Sequence, residues 1–474
     1  MSRLLLGIDV GSSFLKVAAF DERGRLIGAG QSPYETLRPA PGHIEQDPES
    51  WIDIAGAIIR DLIARGCFTS EQVIAVAPSA RGSGAVFVDR SGRVLMNHWL
   101  DDRHRAQGIE LAERFPLADD NRALGSKTLY FKQAHPELFA KLGHPLCVRD
   151  FLHFRMTGDV ATDPSSGPRN LAMIWPADAW EWIGVPIDRV PPVVPHCSIL
   201  GRLLPETARR LGLPAGIPVG MGGHDGACAN AGAGAIAVGD VCLTMGTNGV
   251  ARAIGDRPAQ QKPWRGISAY HYLPGRWCCG GDAAYAGHTA TWLARALGRD
   301  HAEMETAARR VPPGSNGTLF LPFLHGQVAP DRRPDARAAY IGMSNETGPA
   351  DLYRATLEGV AFHYRSIGER LAEMGFGDGP WHVSGGGARN RLWMEIMAAL
   401  LERPLLIGEE EEGSRGAAMF TAVALGLYPT IEACAAEWVR TVWTAEPDPA
   451  LSALYRPMYD RFQRISEAVY QADR

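Results

Sequence analysis

Long apolar runs and clusters of basic residues are both absent from this sequence. A helix needs about 20 consecutive apolar residues to cross a membrane, and no segment has them. The N-terminal stretch MSRLLLGIDV reaches an aspartate after three leucines, which is too short for the apolar region of a signal peptide. The formal net charge of −5 at pH 7 argues against a nucleic-acid-binding surface, because such surfaces are strongly basic. We therefore expect neither a membrane nor a nucleic acid as a partner.

Cysteine motifs are also missing. The eight cysteines are scattered, none forms a CxxC pair, and Cys278 and Cys279 are adjacent. Adjacent cysteines suit neither ordinary disulfide geometry nor a zinc site. The thiols are therefore expected to be reduced, as in a cytoplasmic protein.

The common nucleotide-binding fingerprints are absent as well. The sequence has no GxxxxGK[ST] pattern and no convincing GxGxxG turn with its acidic residue, which disfavours P-loop and Rossmann sites. Other glycine-rich turns do follow apolar strands, at Gly11, at Gly246 and at 385–387. Backbone N–H groups at such turns can hold phosphate oxygens. A tight turn without a ligand is the alternative for each of them.

The first of these turns, GIDVGSSFLK, has the groups that a magnesium–polyphosphate site needs. Asp9 supplies a carboxylate, Gly11 a bare backbone N–H, Ser12 and Ser13 hydroxyls, and Lys16 a cation. The alternative is an ordinary hairpin turn, in which Asp and Gly are also favoured.

The same pattern recurs near the midpoint of the chain. The segment DVCLTMGTNGVARAI (240–254) again has an apolar strand, a glycine–hydroxyl turn and an apolar strand. Its Gly246 and Thr247 align with Gly11 and Ser12. This similarity is short, so coincidence is the alternative to a duplication.

Length and composition predict more than one domain. The chain has 474 residues, of which 46% are hydrophobic, and a single core rarely grows that large. Strands alternate with helices in both halves, which favours layered α/β domains. We predict two related domains, 1–238 and 239–474.

A further candidate lies in VGMGGHDGACANAGAGA (219–235), where small residues surround Asp225. Small neighbours let a substrate approach closely, and a carboxylate can accept the proton of an alcohol during phosphoryl transfer. The alternative is an N-cap for the alanine-rich helix that follows. Both roles can coexist, because a helix N-terminus also favours anionic phosphate.

In this order, the motifs resemble those of the FGGY family of carbohydrate kinases, which includes glycerol kinase, xylulokinase and gluconokinase. GIDVGSSFLK is similar to the family's first phosphate loop, and GGHDGACANAGAGAIAVGDVCLTMGTNGV to its catalytic-aspartate segment and second phosphate loop. SGGGARNRLW resembles the adenosine-binding turn, and AAYIGMSNETGPADLYRATLE the C-terminal signature. One departure is that the usual G-E-R reads Gly326-Gln327-Val328.

The resemblance covers nearly the whole chain and implies an α/β fold of two actin-like (ribonuclease H-like) ATPase domains with an active-site cleft between them. It implies ATP and Mg²⁺ as cofactors, with Asp225 as the general base and Asp9 near the metal. The implied phosphate contacts are Gly11, Ser12, Ser13, Lys16, Gly246 and Thr247, and the implied adenosine contacts are Gly386, Gly387 and Asn390.

The implied substrate is a small sugar, sugar acid or polyol. Gly82 stands where glycerol kinases carry Glu, which disfavours glycerol, and the Met-His-Gly typical of xylulokinases is absent. The segment HDGACANAGAGAI…LTMGTNGVAR resembles gluconokinases more than xylulokinases, and a sugar acid could pair with Arg81. A xylulokinase-like activity is the alternative, so an aldonate, a ketopentose and a polyol all stay open. The implied substrate contacts are Ser79, Ala80, Arg81 and Gly82 in APSARGSG, Trp99, Asp102 and Arg103 in HWLDDR, and His224 and Asp225.

An alternative from another class is an actin-like ATPase that acts on no sugar, such as a chaperone or a filament protein. Those proteins share paired phosphate hairpins but lack the HD segment with its small residues and the DLYRATLE helix. Dimers are frequent among the kinases, so a homodimer is also an open expectation.

Overall fold

The chain folds into two units, each built on a mixed seven-stranded sheet. The computed structural model describes residues 3–82, 84–99, 101–115, 122–168, 172–246, 248–259, 266–283 and 286–472. The first unit comprises Met1–Gly232, Tyr270–Pro274 and Glu411–Trp438, and the second comprises Ala233–Ala269, Gly275–Glu410 and Val439–Arg474. The predicted division at residue 238 is not tested by these compact units alone and stays a prediction.

The main sheet of the first unit has the strand order β3-β2-β1-β4-β9-β8, with β10 also paired to β4. Strands are numbered along the chain, and those of this sheet are β1 (Leu4–Val10), β2 (Phe14–Asp21), β3 (Leu26–Pro33), β4 (Val73–Ala80), β8 (Ile199–Arg202), β9 (Pro218–Gly220) and β10 (Gly223–His224). A smaller sheet has the order β6-β5-β7, formed by β5 (Ala85–Asp89), β6 (Val94–His98) and β7 (Leu142–Cys147). The leucines and isoleucine of β1 are buried because α1 (Pro48–Ala64) packs on one face of the sheet centre and α13 (Glu412–Ala424) approaches Gly7 of the same strand.

The helices of the first unit flank these sheets. The sequence predicts a helix that opens at Asp47-Pro48-Glu49, and α1 does begin at Pro48, with the Asp47 carboxylate accepting from the Glu49 N–H at 3.0 Å. The helices are α1 (Pro48–Ala64), α2 (Arg105–Arg114), α3 (Lys127–Ala134), α4 (Pro136–Phe139), α5 (Val148–Thr157), α6 (Ala177–Ile183), α7 (Pro205–Leu211), α8 (Asp225–Ala233), α13 (Glu412–Ala424) and α14 (Ile431–Trp438), with short turns at Ser70–Gln72, Arg122–Ser126 and Ile187–Arg189.

The sheet of the second unit has the order β13-β14-β12-β11-β17-β18-β19. Its strands are β11 (Val241–Met245), β12 (Gly249–Gly255), β13 (Ser268–His271), β14 (Trp277–Asp282), β17 (Trp381–Ser384), β18 (Leu405–Gly408) and β19 (Thr441–Ala445), and β15 (Leu319–Leu321) pairs with β16 (Ala339–Ile341). The helices are α9 (Ala286–Ala296), α10 (His301–Ala308), α11 (Pro349–Glu373), α12 (Arg391–Leu401) and α15 (Pro449–Ala472), with short turns at Ser315–Gly317 and Gly386–Arg389.

The segment PADLYRATLEGVAFHYRSIGERLAEMG has apolar residues at helical spacing, which predicts an amphipathic helix. It forms α11. Its Leu357, Val360 and Ile367 are buried in the core of the second unit, as their helical spacing predicts. In the described part of the chain, no helix combines the length and the apolar character that a membrane span requires.

The two sheets repeat one pairing pattern. In the first unit β1 pairs antiparallel with β2 and parallel with β4. In the second unit β11 pairs antiparallel with β12 and parallel with β17. The hairpin turns that align in the sequence therefore occupy the same topological position, which supports a duplication.

Candidate active site

Three parallel strand ends assemble the polar edge of the first unit. The register sets Asp9 of β1 beside Ser79 of β4, and Ser79 beside Gly223 of β10. Since the carboxyl ends of parallel strands meet at one edge of a sheet, this pairing brings Asp9 close to the His224-Asp225 pair that follows Gly223. The Ser79 hydroxyl donates to Asp9 Oδ1 at 2.7 Å, which fixes the orientation of that carboxylate.

Asp9 lies in an electrostatic environment that disfavours its own charge. Burial raises the pKa of Asp9 to about 7, and the negative charge of Asp225 adds to the rise, while the Ser79 hydrogen bond and the Lys16 ammonium oppose it. The start of α13 also touches this carboxylate: a Cβ at Gly413 would lie 2.6 Å from Asp9 Oδ2. The carboxylates of Asp9 and Asp225 together favour the binding of a cation between or beside them.

The donor set fits magnesium rather than a metal held by protein alone. Among the described residues, no group of three or more His, Cys, Asp or Glu side chains is arranged to hold a metal ion. Mg²⁺ keeps several waters and is usually bound through one or two carboxylates together with substrate phosphates. One carboxylate at Asp9 beside the predicted phosphate turn meets that requirement.

Asp225 is the first residue of α8 and remains accessible. Its side chain is 30% exposed, and its Oδ1 accepts from the Gly226 N–H at 2.7 Å. His224 Nδ1 lies 3.2 Å from the same oxygen. The carboxylate therefore contacts the helix N-terminus and is also open to a substrate, so its predicted roles as base and as helix-terminal acceptor are compatible.

The His224 ring explains why residue 82 is a glycine. A Cβ at Gly82 would lie 2.3 Å from His224 Cδ2, so any side chain there would displace the ring. The other side of the imidazole faces Tyr270, with ring centroids 5.0 Å apart. The space beside Gly82 is thus filled by an aromatic ring in this chain.

The turn predicted as the first phosphate contact is a tight hairpin with polar groups at its tip. The Gly11 N–H donates to the Phe14 carbonyl at 3.2 Å, and Ser12 and Ser13 lie in the turn between them, the first half-buried and the second exposed. Lys16 pairs in register with Asp9 on the neighbouring strand. The Tyr34 hydroxyl donates to backbone carbonyls of the turn, at 2.8 Å for Phe14. Sequence reasoning did not identify Tyr34, because a tyrosine just after an edge strand carries no distinctive signal.

In the second unit the glycine triplet packs directly on the Gly246 turn. Gly385 has φ +87°, and a Cβ there would lie 2.9 Å from the Gly246 nitrogen. A Cβ at Gly387 would lie 2.9 Å from the Met245 carbonyl oxygen, whereas one at Gly386 would meet no atom within 4 Å. Gly386 is therefore the member of the triplet that offers open space. Thr247, also predicted as a phosphate contact, lies outside the described residues.

Asn390 caps the helix that follows this triplet. Its Oδ1 accepts from the Trp393 N–H at 2.9 Å at the start of α12. The predicted adenosine contact through Asn390 is not tested by this arrangement and stays a prediction.

Three of the predicted sugar contacts are buried or half-buried, and each contacts other parts of the protein. Ala80 and Trp99 are fully buried, and Trp99 packs on Trp51 with ring centroids 5.4 Å apart. Arg81 is half-buried, and its N–H donates to the Val10 carbonyl at 3.2 Å. The register of β4 places Ala80 beside His224, with Arg81 next in the chain. The predicted sugar contacts of Ala80, Arg81 and Trp99 stay predictions.

The HWLDDR segment contains an ion-pair network around Asp101 rather than Asp102. Arg103 donates to Asp101 Oδ1 at 2.7 Å and to Glu45 Oε1 at 2.8 Å. Asp101 also accepts from the Ile44 N–H at 2.7 Å. Asp102 itself is exposed. Two adjacent aspartates give no sequence signal for which one turns inward, so Asp101 was missed.

Comparisons with known proteins match the chain along its length. The N-terminal domain of the FGGY family of carbohydrate kinases matches residues 4–232, and the C-terminal domain of that family matches residues 241–425. A xylulose kinase from Bacillus subtilis (strain 168) is 28% identical and covers 98% of this chain and 96% of its own. A gluconokinase from Bacillus licheniformis is 27% identical, with coverage of 91% and 88%.

A solved structure agrees with the fold. The structure of a "xyloylose kinase" from Brucella ovis superposes with a TM-score of 0.88 at 26% identity, covering 99% of this chain and 100% of the other. The predicted α/β fold of two actin-like domains is thereby confirmed, while the predicted cleft between them stays a prediction. With both family domains matched in order, this chain belongs to the FGGY family of carbohydrate kinases.

Proposed function

We propose that this carbohydrate kinase transfers the γ-phosphate of ATP to a hydroxyl of a five-carbon ketose, with Asp225 as the general base. The observation that carries the proposal is the strand register that sets Asp9, Ser79 and the His224-Asp225 pair along one sheet edge. The 28% identity to a xylulose kinase over nearly the whole chain supports the substrate class.

The accessible carboxylate of Asp225 accepts the proton of the attacking hydroxyl as the bond to phosphorus forms. A positioned base of this kind contributes roughly 10²–10⁴-fold to the rate. Because Asp225 starts α8, the backbone N–H groups of the first helical turn face the same region and favour the negative charge of the phosphates.

Asp9 would hold Mg²⁺ through water, with Ser79 keeping its carboxylate oriented. When bound, the ion neutralises charge on the phosphate oxygens. Gly11, Ser12, Ser13 and Lys16 would contact the phosphates in the first unit. In the second unit Gly246 and Thr247 would contact the phosphates, and Gly386, Gly387 and Asn390 the adenosine.

A sugar acid is the second candidate substrate, and Arg81 favours it. Arg81 lies one residue beyond β4, at the edge that Asp225 shares, and its guanidinium is suited to a carboxylate. Hydrogen bonds to charged groups contribute about 1.5–3 kcal/mol. For an aldonate substrate, Arg81→Gln is expected to raise KM by roughly 10–100-fold. For a ketopentose, which has no carboxylate, we expect a much smaller rise.

The deciding experiment measures ADP release with D-xylulose, D-ribulose, D-gluconate and glycerol, each against a blank without sugar. We expect turnover that depends on the added acceptor and is fastest with a pentulose. Fastest turnover with gluconate would show that a sugar acid, rather than a pentulose, is the substrate. ATP hydrolysis that is indifferent to every acceptor would contradict the kinase proposal and favour an actin-like ATPase.

The glycine triplet supplies a test of the adenosine site. Gly386→Ala is expected to leave the apo protein as stable as the parent, because its Cβ meets no atom within 4 Å, and to raise KM for ATP. Gly387→Ala should instead lower the melting temperature, since its Cβ would meet the Met245 carbonyl oxygen at 2.9 Å. An unchanged KM for ATP in Gly386→Ala would argue against adenosine at this turn.

We also propose the cytoplasm as the location, which the eight cysteines support because all of them are described and none is paired in a disulfide. A homodimer stays a prediction, and light scattering of the purified protein measures it directly.

A further inference from the structure

Side chains hold the outer edge of β10, the two-residue strand that leads into Asp225. One edge of β10 pairs with β4. On the other edge the His224 N–H donates to Ser165 Oγ at 3.1 Å. Just before the strand, His196 Nδ1 lies 2.9 Å from the Gly222 carbonyl oxygen. The backbone next to the proposed base is therefore fixed partly by a hydroxyl from a distant loop.

A buried ion pair orients that hydroxyl. The Ser165 hydroxyl donates to Asp163 Oδ1, and the Ser165 N–H donates to the same oxygen at 2.7 Å. The other oxygen of Asp163 pairs with Arg149 Nη1. Asp163 and Arg149 are both buried to within 1%. Because the hydroxyl proton is directed to a carboxylate, a lone pair of Ser165 Oγ is left to accept from His224.

The arginine is itself held on further sides. Arg149 Nη2 donates to Asp150 Oδ1 at 2.6 Å and to Thr162 Oγ1 at 3.2 Å. Asp150 in turn accepts from the Cys147 N–H at 3.1 Å, at the start of α5. The chain of contacts thus runs from α5 through Asp163 and Ser165 to the backbone of His224, and each contact in it is buried or half-buried.

We infer that Ser165 is a positioning residue for the proposed base, acting through the His224 N–H to keep the Asp225 carboxylate in place. This inference rests on the proposed function of Asp225. A geometric error of about 1 Å at a reacting group can cost roughly 100-fold in rate. The loss of one hydrogen bond at this point is therefore expected to affect catalysis more than folding.

The ion pair is a poor target for mutation, because removing one partner leaves a buried charge and strongly destabilises the protein. Ser165→Ala removes only the hydroxyl. Ser166→Ala is the matched control: the residue is the next in sequence and is also buried, and its hydroxyl has no hydrogen-bond partner among the described residues.

We expect Ser165→Ala to lower kcat per folded molecule by roughly 10–100-fold, with KM for ATP changed by less than about threefold. Ser166→Ala should keep the parent kcat. Amide hydrogen exchange supplies a second readout: peptides containing His224 should exchange faster in Ser165→Ala than in Ser166→Ala.

A kcat in Ser165→Ala within twofold of that in Ser166→Ala would overturn the inference, as would a loss that matches the fraction of unfolded protein. If Ser165→Ala does not fold, Ser165→Cys is measured instead, because its sulfur is a much weaker acceptor for the His224 N–H. A lowered kcat together with faster exchange at His224 supports the inference, and parent values for both overturn it. Asp225→Asn is assayed in parallel. Near-parent activity in that variant would refute the proposed function itself, which separates the two failures.

Discussion

Asp225→Asn is expected to lower kcat of phosphoryl transfer by roughly 10²–10⁴-fold, while the protein still binds ATP. Asparagine keeps the size and the contact with the Gly226 N–H, which lies 2.7 Å from Asp225 Oδ1 in the parent. It cannot accept a proton from the attacking hydroxyl. ADP release with the preferred sugar measures kcat, and calorimetric titration with ATP measures binding.

Asp61→Asn is the control for this substitution. Asp61 lies on α1 and is 61% exposed, paired only loosely with Arg65 at 3.3 Å, so the same chemical change there should cost little. A kcat in Asp225→Asn above about a third of the parent value would be incompatible with a role as general base, given the usual size of that contribution. A lost affinity for ATP would point instead to a binding role.

The central hairpin of each main sheet can be predicted from the sequence. The apolar strand, glycine turn and second strand of GIDVGSSFLKVAAF form β1 and β2, and their counterparts form β11 and β12. These pairings are local, since hairpin partners are neighbours in the chain. The apolar periodicity of α11 is local as well, and it placed Leu357 correctly in the core.

Contacts between segments that are far apart in the sequence could not be predicted in the same way. Glu411–Trp438 joins the first unit although it follows most of the second in sequence. The many small residues of EGSRGAAMFTAVA, which forms α13, predict a close approach to a neighbouring element but do not identify that element. The structure identifies Gly7, whose Cβ would lie 2.0 Å from the Ser414 carbonyl oxygen. Small residues indicate that a helix packs closely on a neighbour, but only the folded structure identifies the neighbouring element.

The sequence also could not predict which way the side chains at the site point. APSARGSG locates the end of β4, but alternate residues of a strand face opposite sides, and the sequence does not say which face meets a ligand. Ser79 is oriented towards Asp9, and Ala80 is buried on the other face. Asp163 and Ser165 gave no signal at all, because their partners Arg149 and His224 are distant in sequence.

Gly416→Ala has the largest expected effect on stability, because it lies where α8 and α13 cross with their backbones in contact. A Cβ at Gly416 would lie 1.9 Å from the Cys228 carbonyl oxygen, and one at Gly232 would lie 1.9 Å from the Glu412 carbonyl oxygen. Both obstacles are backbone atoms, so no side-chain rotation relieves them. We expect a loss of about 1–3 kcal/mol or more in the free energy of unfolding.

Whether Gly416→Ala raises or lowers the melting temperature tells whether the two helices are in contact at this position. Replacing a helical glycine by alanine normally stabilises a protein by roughly 0.5–1 kcal/mol, so a lower melting temperature in Gly416→Ala can only come from the crossing. Gly386→Ala, whose Cβ meets no atom within 4 Å, is the control in thermal unfolding of the apo protein. Because α8 begins at Asp225, a displaced crossing should also lower kcat of the folded fraction. A melting temperature at or above that of the parent would show that the two helices do not touch at Gly416.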